Sequence, residues 1–445
     1  MLEFGFSREN ITPTRGIPLC GYFNPRPNKG YLDPLAVKAA VFRAGGVTAG
    51  FVSFDLCYIT RELVEKLIAA MKEAGVCCAD NLMFSTVHTH TGPYTAKCFD
   101  DCTDSKYLSR LIQKTVMAVE DAVANLAPAE LYATTAESTT LSFNRRYWMK
   151  DGSVLTNPGK LNPDIDRPEG PIDPQIPFLA VKQDGFFRMF LVNISNHSDT
   201  IGGDLVSADW SGKMEHAVQS ELGYDIPVVT LCGPQGNINH FNVKTAAGQT
   251  SYPEATRIGK GYASALLQSI YALNKVEVDS IQVDHAEMEV PYRKVTDAEY
   301  ADAKATVERF KDATMEAGRD FTSEDIARKH PYVMKYFAQR LCSCRDNAIP
   351  GRRMEQLIAI KFGDQIGVVS MPAEPFVEIG LNVKKASRFP LTLVAALAQG
   401  EVGYVALPEN YTRGIAAYET APNNESADTG VGSELMATAT DLLNR

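Results

Sequence analysis

The chain has 445 residues, 45% hydrophobic and 22% charged, a globular composition with enough apolar side chains for one large core or two ordinary ones. Its formal net charge of −10 argues against the basic face that a nucleic-acid partner requires and disfavours binding to anionic lipid. No apolar run approaches the roughly 20 residues that span a bilayer.

Along the chain, the opening MLEFGFSRENITPT lacks a basic stretch followed by an apolar run and a small-residue cleavage site. Nine cysteines, an odd number that includes the adjacent Cys77 and Cys78, fit a reducing compartment better than a disulfide framework. The expectation is a cytoplasmic protein. The first strand is expected at 49–55 (AGFVSFD), followed by a helix at 61–75 and a second strand at 81–87 (NLMFSTV) that runs into His88-Thr-His90. A helix is expected at 109–126. Residues 145–176, with KDG, NPGKLNP and RPEGPIDP, read as one long loop over the mouth of a site.

Strands at 187–195 and 226–232 precede His197 with Asp199, and Gln235 with Asn237 and Asn239. A helix spans Ile258 to Asn274. Residues 291–345 read as a charged helical insertion, its second helical stretch interrupted by Pro331. Strands at 366–372 and 392–400 lead to Glu374 and to Glu401 with Tyr404. No repeat is visible. The expected class is α/β: one domain over 1–445, with layered mixed β-sheets flanked by helices.

Ligands of α/β sheets bind beyond the carboxyl ends of strands, where loops converge. Six strands that each end in polar residues therefore point to one site. A strand's period of two sets His88 and His90 on the same side of the chain, a place for a metal ion or for two ordinary hydrogen-bonded histidines. Zinc takes imidazole nitrogen and carboxylate oxygen and, in catalytic sites, keeps one position open. His88, His197 and Glu374 would supply such a set. The Cys98/Cys102 and Cys342/Cys344 pairs lack zinc-knuckle spacing, and His216, His285 and His330 sit in surface-like contexts.

The motifs HTHTGP (88–93), NISNHSDTIGG with SADWSG (193–212), GPQGNIN (233–239), MPAEPFVEIG (371–380), and GYVALPENY with AYE (403–419) resemble, in order, those of the neutral/alkaline ceramidase family. ENITPTRGIPLCGY near the start, DPLAVKAAVF at 33–42 and GSELMATATDLL near the end are similar to the same family's catalytic domain, so the likeness runs through nearly the whole chain.

The resemblance implies a zinc ion held by His88, His197, Glu374 and Tyr404, with His90 facing the substrate. It implies that Arg145 anchors the scissile carbonyl or product carboxylate, though Arg145 and Arg146 also read as a solvated loop pair, and that Tyr418 donates to a developing oxyanion. Gln235 and Asn239 would line the substrate. Asn239 stands where the family's ceramidases carry serine, and those proteins continue into an immunoglobulin-like domain and are usually exported.

The expectation is therefore a zinc-dependent amidohydrolase acting on a small polar N-acyl compound rather than long-chain ceramide. Glu374 or a neighbouring histidine would take the water proton, and His90 would protonate the leaving amine. A zinc esterase, lactonase or carbohydrate deacylase, and a non-catalytic metal- or ligand-binding protein of the same fold, are the alternatives.

Overall fold

The structure is a computed structural model that describes residues 1–24, 26–96, 102–315, 325–326, 328–346, 353–411, 417–421 and 427–445. Three stretches of the chain fold into the same unit: three antiparallel strands, a helix, a fourth strand parallel to the third, and a second helix. The first unit is Glu3–Asn10, Ala36–Ala44, Val47–Phe54, helix Arg61–Glu73, Leu82–Thr86 and helix Ser105–Ala124. The second is Glu130–Glu137, Gln175–Gln183, Phe186–Ile194, helix Asp209–Leu222, Val228–Cys232 and helix Tyr252–Ser269. The third is Ile281–Val290, Arg353–Phe362, Ile366–Met371, helix Val377–Ala386, Leu391–Ala396 and helix Val431–Asn444.

This structural repeat corrects the reading of the chain as free of repeats. Its units share only apolar alternation and turn chemistry, conditions that unrelated sequences meet equally well. All six strands expected from sequence are present, and they are the third and fourth strands of the three units. The first two strands of each unit were not anticipated as strands. Ile281–Val290 shows why: IQVDHAEMEV at a sheet edge keeps much of its length half-buried or exposed, so no continuous apolar run marks it.

The three sheets turn one face each toward a common core. Phe42 and Phe51 of the first sheet meet Phe362 of the third, with Phe42 and Phe362 rings 5.1 Å apart, and Phe4 of the first sheet with Leu179 and Leu191 of the second join the same core. Each outer face is covered by its own pair of helices. The helix Arg61–Glu73 illustrates the local cause: Thr60 caps it by accepting from the Leu63 amide, and Leu63, Val64, Leu67 and Met71 form its buried stripe. Each such side chain, fully buried, stabilises the fold by about 1.5–3 kcal/mol. The helix Asp209–Leu222 ends at Gly223, whose φ of +77° is the left-handed conformation that glycine adopts without a Cβ clash.

Two further expectations are corrected. Residues 145–176 are not a structureless loop: Arg146–Met149 pairs with Val154–Thr156 on one side and Ile165–Pro168 on the other. Pro331 does not interrupt a helix but opens one, Pro331–Asp346, at a position where its missing N–H removes no intrahelical bond. That helix packs on Asp297–Arg309, which starts in a Thr296/Glu299 capping box, so the insertion is a helical hairpin. Among the described residues no helix is long and apolar enough to cross a membrane.

Candidate metal centre

Because the third and fourth strands of every unit are parallel, their carboxyl ends deliver loops together. His88 follows the fourth strand of the first unit, His197 the third strand of the second, and Glu374 the third strand of the third. Glu374 then pairs in parallel with Tyr404, past the last strand of the third unit. The ends of all three units are stitched together there: Gln399 accepts from and donates to the Phe84 backbone, and the His90 amide donates to the Ser198 carbonyl.

Glu374 Oε2 lies 3.2 Å from His88 Nε2 and 3.2 Å from His197 Nε2. Each imidazole is already committed through its other nitrogen: His88 Nδ1 to the Cys57 carbonyl at 2.8 Å, and His197 Nδ1 to the Gln235 and Ile238 carbonyls at 3.0 and 2.9 Å. A carbonyl only accepts, so each Nδ1 carries the proton, and a neutral ring turns its Nε2 lone pair toward Glu374. The carboxylate oxygen has no hydrogen bond of acceptable geometry among the described residues. Two lone pairs and a buried carboxylate oxygen aimed at one point are satisfied by a cation, or by a proton taken onto a histidine.

The donor set suits zinc: imidazole nitrogen, carboxylate oxygen and the Tyr404 hydroxyl, 3.5 Å from His197 Nε2. Ligands about 2.0–2.1 Å from a tetrahedral zinc ion stand roughly 3.3 Å from one another, the spacing these atoms have. His90 Nε2 is also 3.3 Å from His88 Nε2, but the contacts of Glu374 are with His88 and His197, and His90 is partly exposed. His88 takes a φ of +65°, rare for a residue with a side chain and a sign that its placement is enforced by its surroundings. Gly21 packs behind His90 so closely that a Cβ there would meet the imidazole at 2.6 Å.

The charges are mutually adjusted. Burial disfavours a charged His88, but the Glu374 carboxylate outweighs it and lifts the imidazole to about 9. Glu374, which burial alone would raise, is held well below the usual carboxylate range by the two histidines. Burial and then the neighbouring His88 keep His90 well below its ordinary value, and burial with Arg145 lowers His197. Burial and the Glu374 charge push Tyr404 far up.

Around this cluster, Arg145 Nη2 donates to the Gly236 carbonyl at 2.6 Å while Nη1 lies 3.5 Å from His197 Nε2. Arg145 and Arg146 are buried, not a solvated pair. Tyr418 stands ring to ring with Tyr404 at 5.5 Å. Gln235 is fully buried with both amide atoms unpartnered among the described residues. Asn239, also buried, accepts from the Phe241 amide and donates to Asn157 at 3.2 Å, tying the 145–176 segment to the site. Asp55 and Glu401 do not join the cluster: Asp55 accepts from the Ala36 amide, and Glu401 from the Gly403 amide. His216 and His285 are exposed and His330 half-buried, all outside it; Cys98 lies outside the described residues.

Sequence reasoning passed over two features. Glu419 is buried between both arginines, 2.8 Å from Arg145 Nε and 3.0 Å from Arg146 Nη1, and Arg146 also pairs with Glu169. The other feature is His240, one residue beyond the GPQGNIN motif, buried against Asp199 at 3.0 Å. The only signal for it was its position directly after that motif.

The fold and site define an α/β protein with a metal-competent cluster at the carboxyl ends of parallel strands. Its fold is similar to that of the neutral ceramidase from Pseudomonas aeruginosa: TM-score 0.74 and 18% identity, over 99% of this chain and 74% of that one. A solved structure of ceramidase complexed with C2 is similar to the same extent, with TM-score 0.74, 18% identity and the same coverage. No protein-family model and no curated protein sequence matches the chain.

Proposed function

We propose that the chain is a zinc-dependent hydrolase of the amide bond in a small, polar N-acyl compound, with 1–445 acting as one catalytic domain. The observation that carries this reading is the convergence of His88 Nε2, His197 Nε2 and Glu374 Oε2, with both Nδ1 atoms committed to backbone carbonyls. Similarity in fold to proteins named as ceramidases supports an N-acyl substrate.

His88, His197, Glu374 and Tyr404 would hold the ion. Zinc, when bound there, would supply Lewis acidity at the scissile carbonyl and lower the pKa of water toward neutrality. His90, kept neutral by its surroundings, takes a proton from the attacking water and returns it to the leaving nitrogen. Arg145 and Tyr418 stabilise the negative charge that grows on the carbonyl oxygen. Gln235 and Asn239 line the substrate, and Asn239 favours a polar group beside the scissile bond because a buried amide left unpaired is costly.

Purified protein assayed on short N-acyl amines, matched acyl esters and a long-chain ceramide tests the reading. Turnover of short amides above ceramide is expected, lost in His90→Ala while metal content is kept. Turnover of esters alone removes the amidase assignment, faster turnover of ceramide removes the small polar substrate, and no turnover on any acyl compound removes the enzyme.

A further inference from the structure

The segments 88–91 and 197–200 run side by side in parallel, with Thr89 opposite Ser198 and the His90 amide donating to the Ser198 carbonyl. That register sets His88 beside His197 and, one step further out, His90 beside Asp199. The inner pair faces Glu374. The outer pair is the part of this array that solvent reaches: His90 is partly exposed, and the Asp199 side chain retains 17% of its surface whereas His197 retains none.

Asp199 is held from behind. His240 Nδ1 lies 3.0 Å from Asp199 Oδ1, and its Nε2 lies 2.6 Å from the Gln249 carbonyl. Both partners only accept, so both ring nitrogens donate and His240 is a buried imidazolium. It fixes one carboxylate oxygen. Among the described residues His240 alone hydrogen-bonds to this carboxylate. Rings border the cluster: Tyr22 stands edge-on to His90 at 5.5 Å, Tyr418 edge-on to Phe23 at 6.0 Å, and Phe23 edge-on to Tyr336 of the insertion at 5.2 Å. An acceptor thus stands beside His90, while Tyr418, placed at the carbonyl by the reading above, is backed by rings.

Resting on the hydrolase reading above, the geometry points to Asp199 as the residue that selects the substrate, by accepting a hydrogen bond from a donor group, hydroxyl or ammonium, on the leaving-amine portion. His90 hands its proton to that same portion, so the acceptor and the proton donor address one fragment while the acyl fragment lies toward Tyr418. A carboxylate held in place by His240 loses little freedom on binding such a donor, and a substrate without one leaves the charged oxygen unmatched.

A matched series tests this: N-acetylethanolamine, N-acetylethylenediamine and N-acetylpropylamine differ only in a terminal hydroxyl, ammonium or methyl. Their binding to the purified protein is measured by calorimetry and their specificity constants by amine release. The two donor compounds are expected to bind about ten- to a hundredfold tighter than the methyl compound. In Asp199→Asn, which keeps an oxygen for His240 but presents an amide to the substrate, that ratio falls toward one. Equal affinities in the wild type, no binding by any of the three, or a ratio unchanged in Asp199→Asn overturns the proposal. The wild-type comparison decides the matter even where the variant fails to fold. Discrimination in binding without amine release leaves the role of Asp199 standing and removes the hydrolase; amine release at equal rates from all three does the reverse.

Discussion

The floor and the rim of the site are built differently. The floor is made by the strand ends of the three repeated units, each fixed by a sheet in the common core: His88, His197 and Glu374 follow strands whose carboxyl-terminal halves are buried throughout. The rim comes from segments outside the repeated elements: residues 145–174, the turn at Tyr418–Thr420 and the insertion helix Pro331–Asp346. The floor is held by burial of apolar strands, whereas the rim is held by a few long-range polar and aromatic contacts. Substitutions in the floor should abolish function, and substitutions in the rim should tune it.

The largest expected effect is in the floor. His88→Ala combined with His197→Ala should lower turnover by on the order of a thousandfold or more, with the fold retained by circular dichroism. Residual activity near the wild-type level would break the distinction outright.

Next comes the charged joint between floor and rim. Glu419→Gln removes the carboxylate from two buried arginines, and breaking such a pair costs about 3–5 kcal/mol. Chemical denaturation should show a loss of this size, with KM or kcat altered through Arg145. A loss below about 1 kcal/mol would mean that the rim is not held by this network.

The third prediction concerns pH. In the metal-free protein His88 is raised to about 9, above an unfolded value of about 6.5, so its contribution to stability is fully present below pH about 6.5 and is lost as pH rises through 9. The same proton competes with a metal for Nε2. Apparent metal affinity should therefore climb up to about tenfold per pH unit toward 9 and then level, as read by chelator competition. Affinity independent of pH across that window would contradict the placement of His88 at the ion.

The smallest effect belongs to the insertion. Tyr336→Ala removes a half-buried ring from the Phe23 contact and should change stability by less than about 1 kcal/mol, while shifting KM for substrates with bulky acyl groups. A collapse of the fold would show that the insertion supports the floor.

How legible these regions are in sequence follows the same division. Strands such as Val228–Cys232, buried on both faces, announce themselves as apolar runs, and the polar residues that end them mark the floor. Charge and spacing brought His88, His197 and Glu374 into view as one possible set, but Tyr404 as a member rested on the family resemblance. The rim and the buried His240–Asp199 pair were hidden because the partners are remote. Glu419 meets Arg146 across 273 positions, and His240 meets Asp199 across 41, so no local pattern records either pair. The repeat was hidden for a different reason: half-exposed first strands such as Glu130–Glu137 carry alternation too weak to stand out beside loops.

Metal analysis of the purified wild-type protein beside the His88→Ala/His197→Ala variant tests the central claim most directly. About one zinc ion per chain after extensive dialysis is expected in the wild type, and background content in the variant. A wild type at background, or a variant that retains the wild-type content, contradicts the assignment of this cluster to a metal.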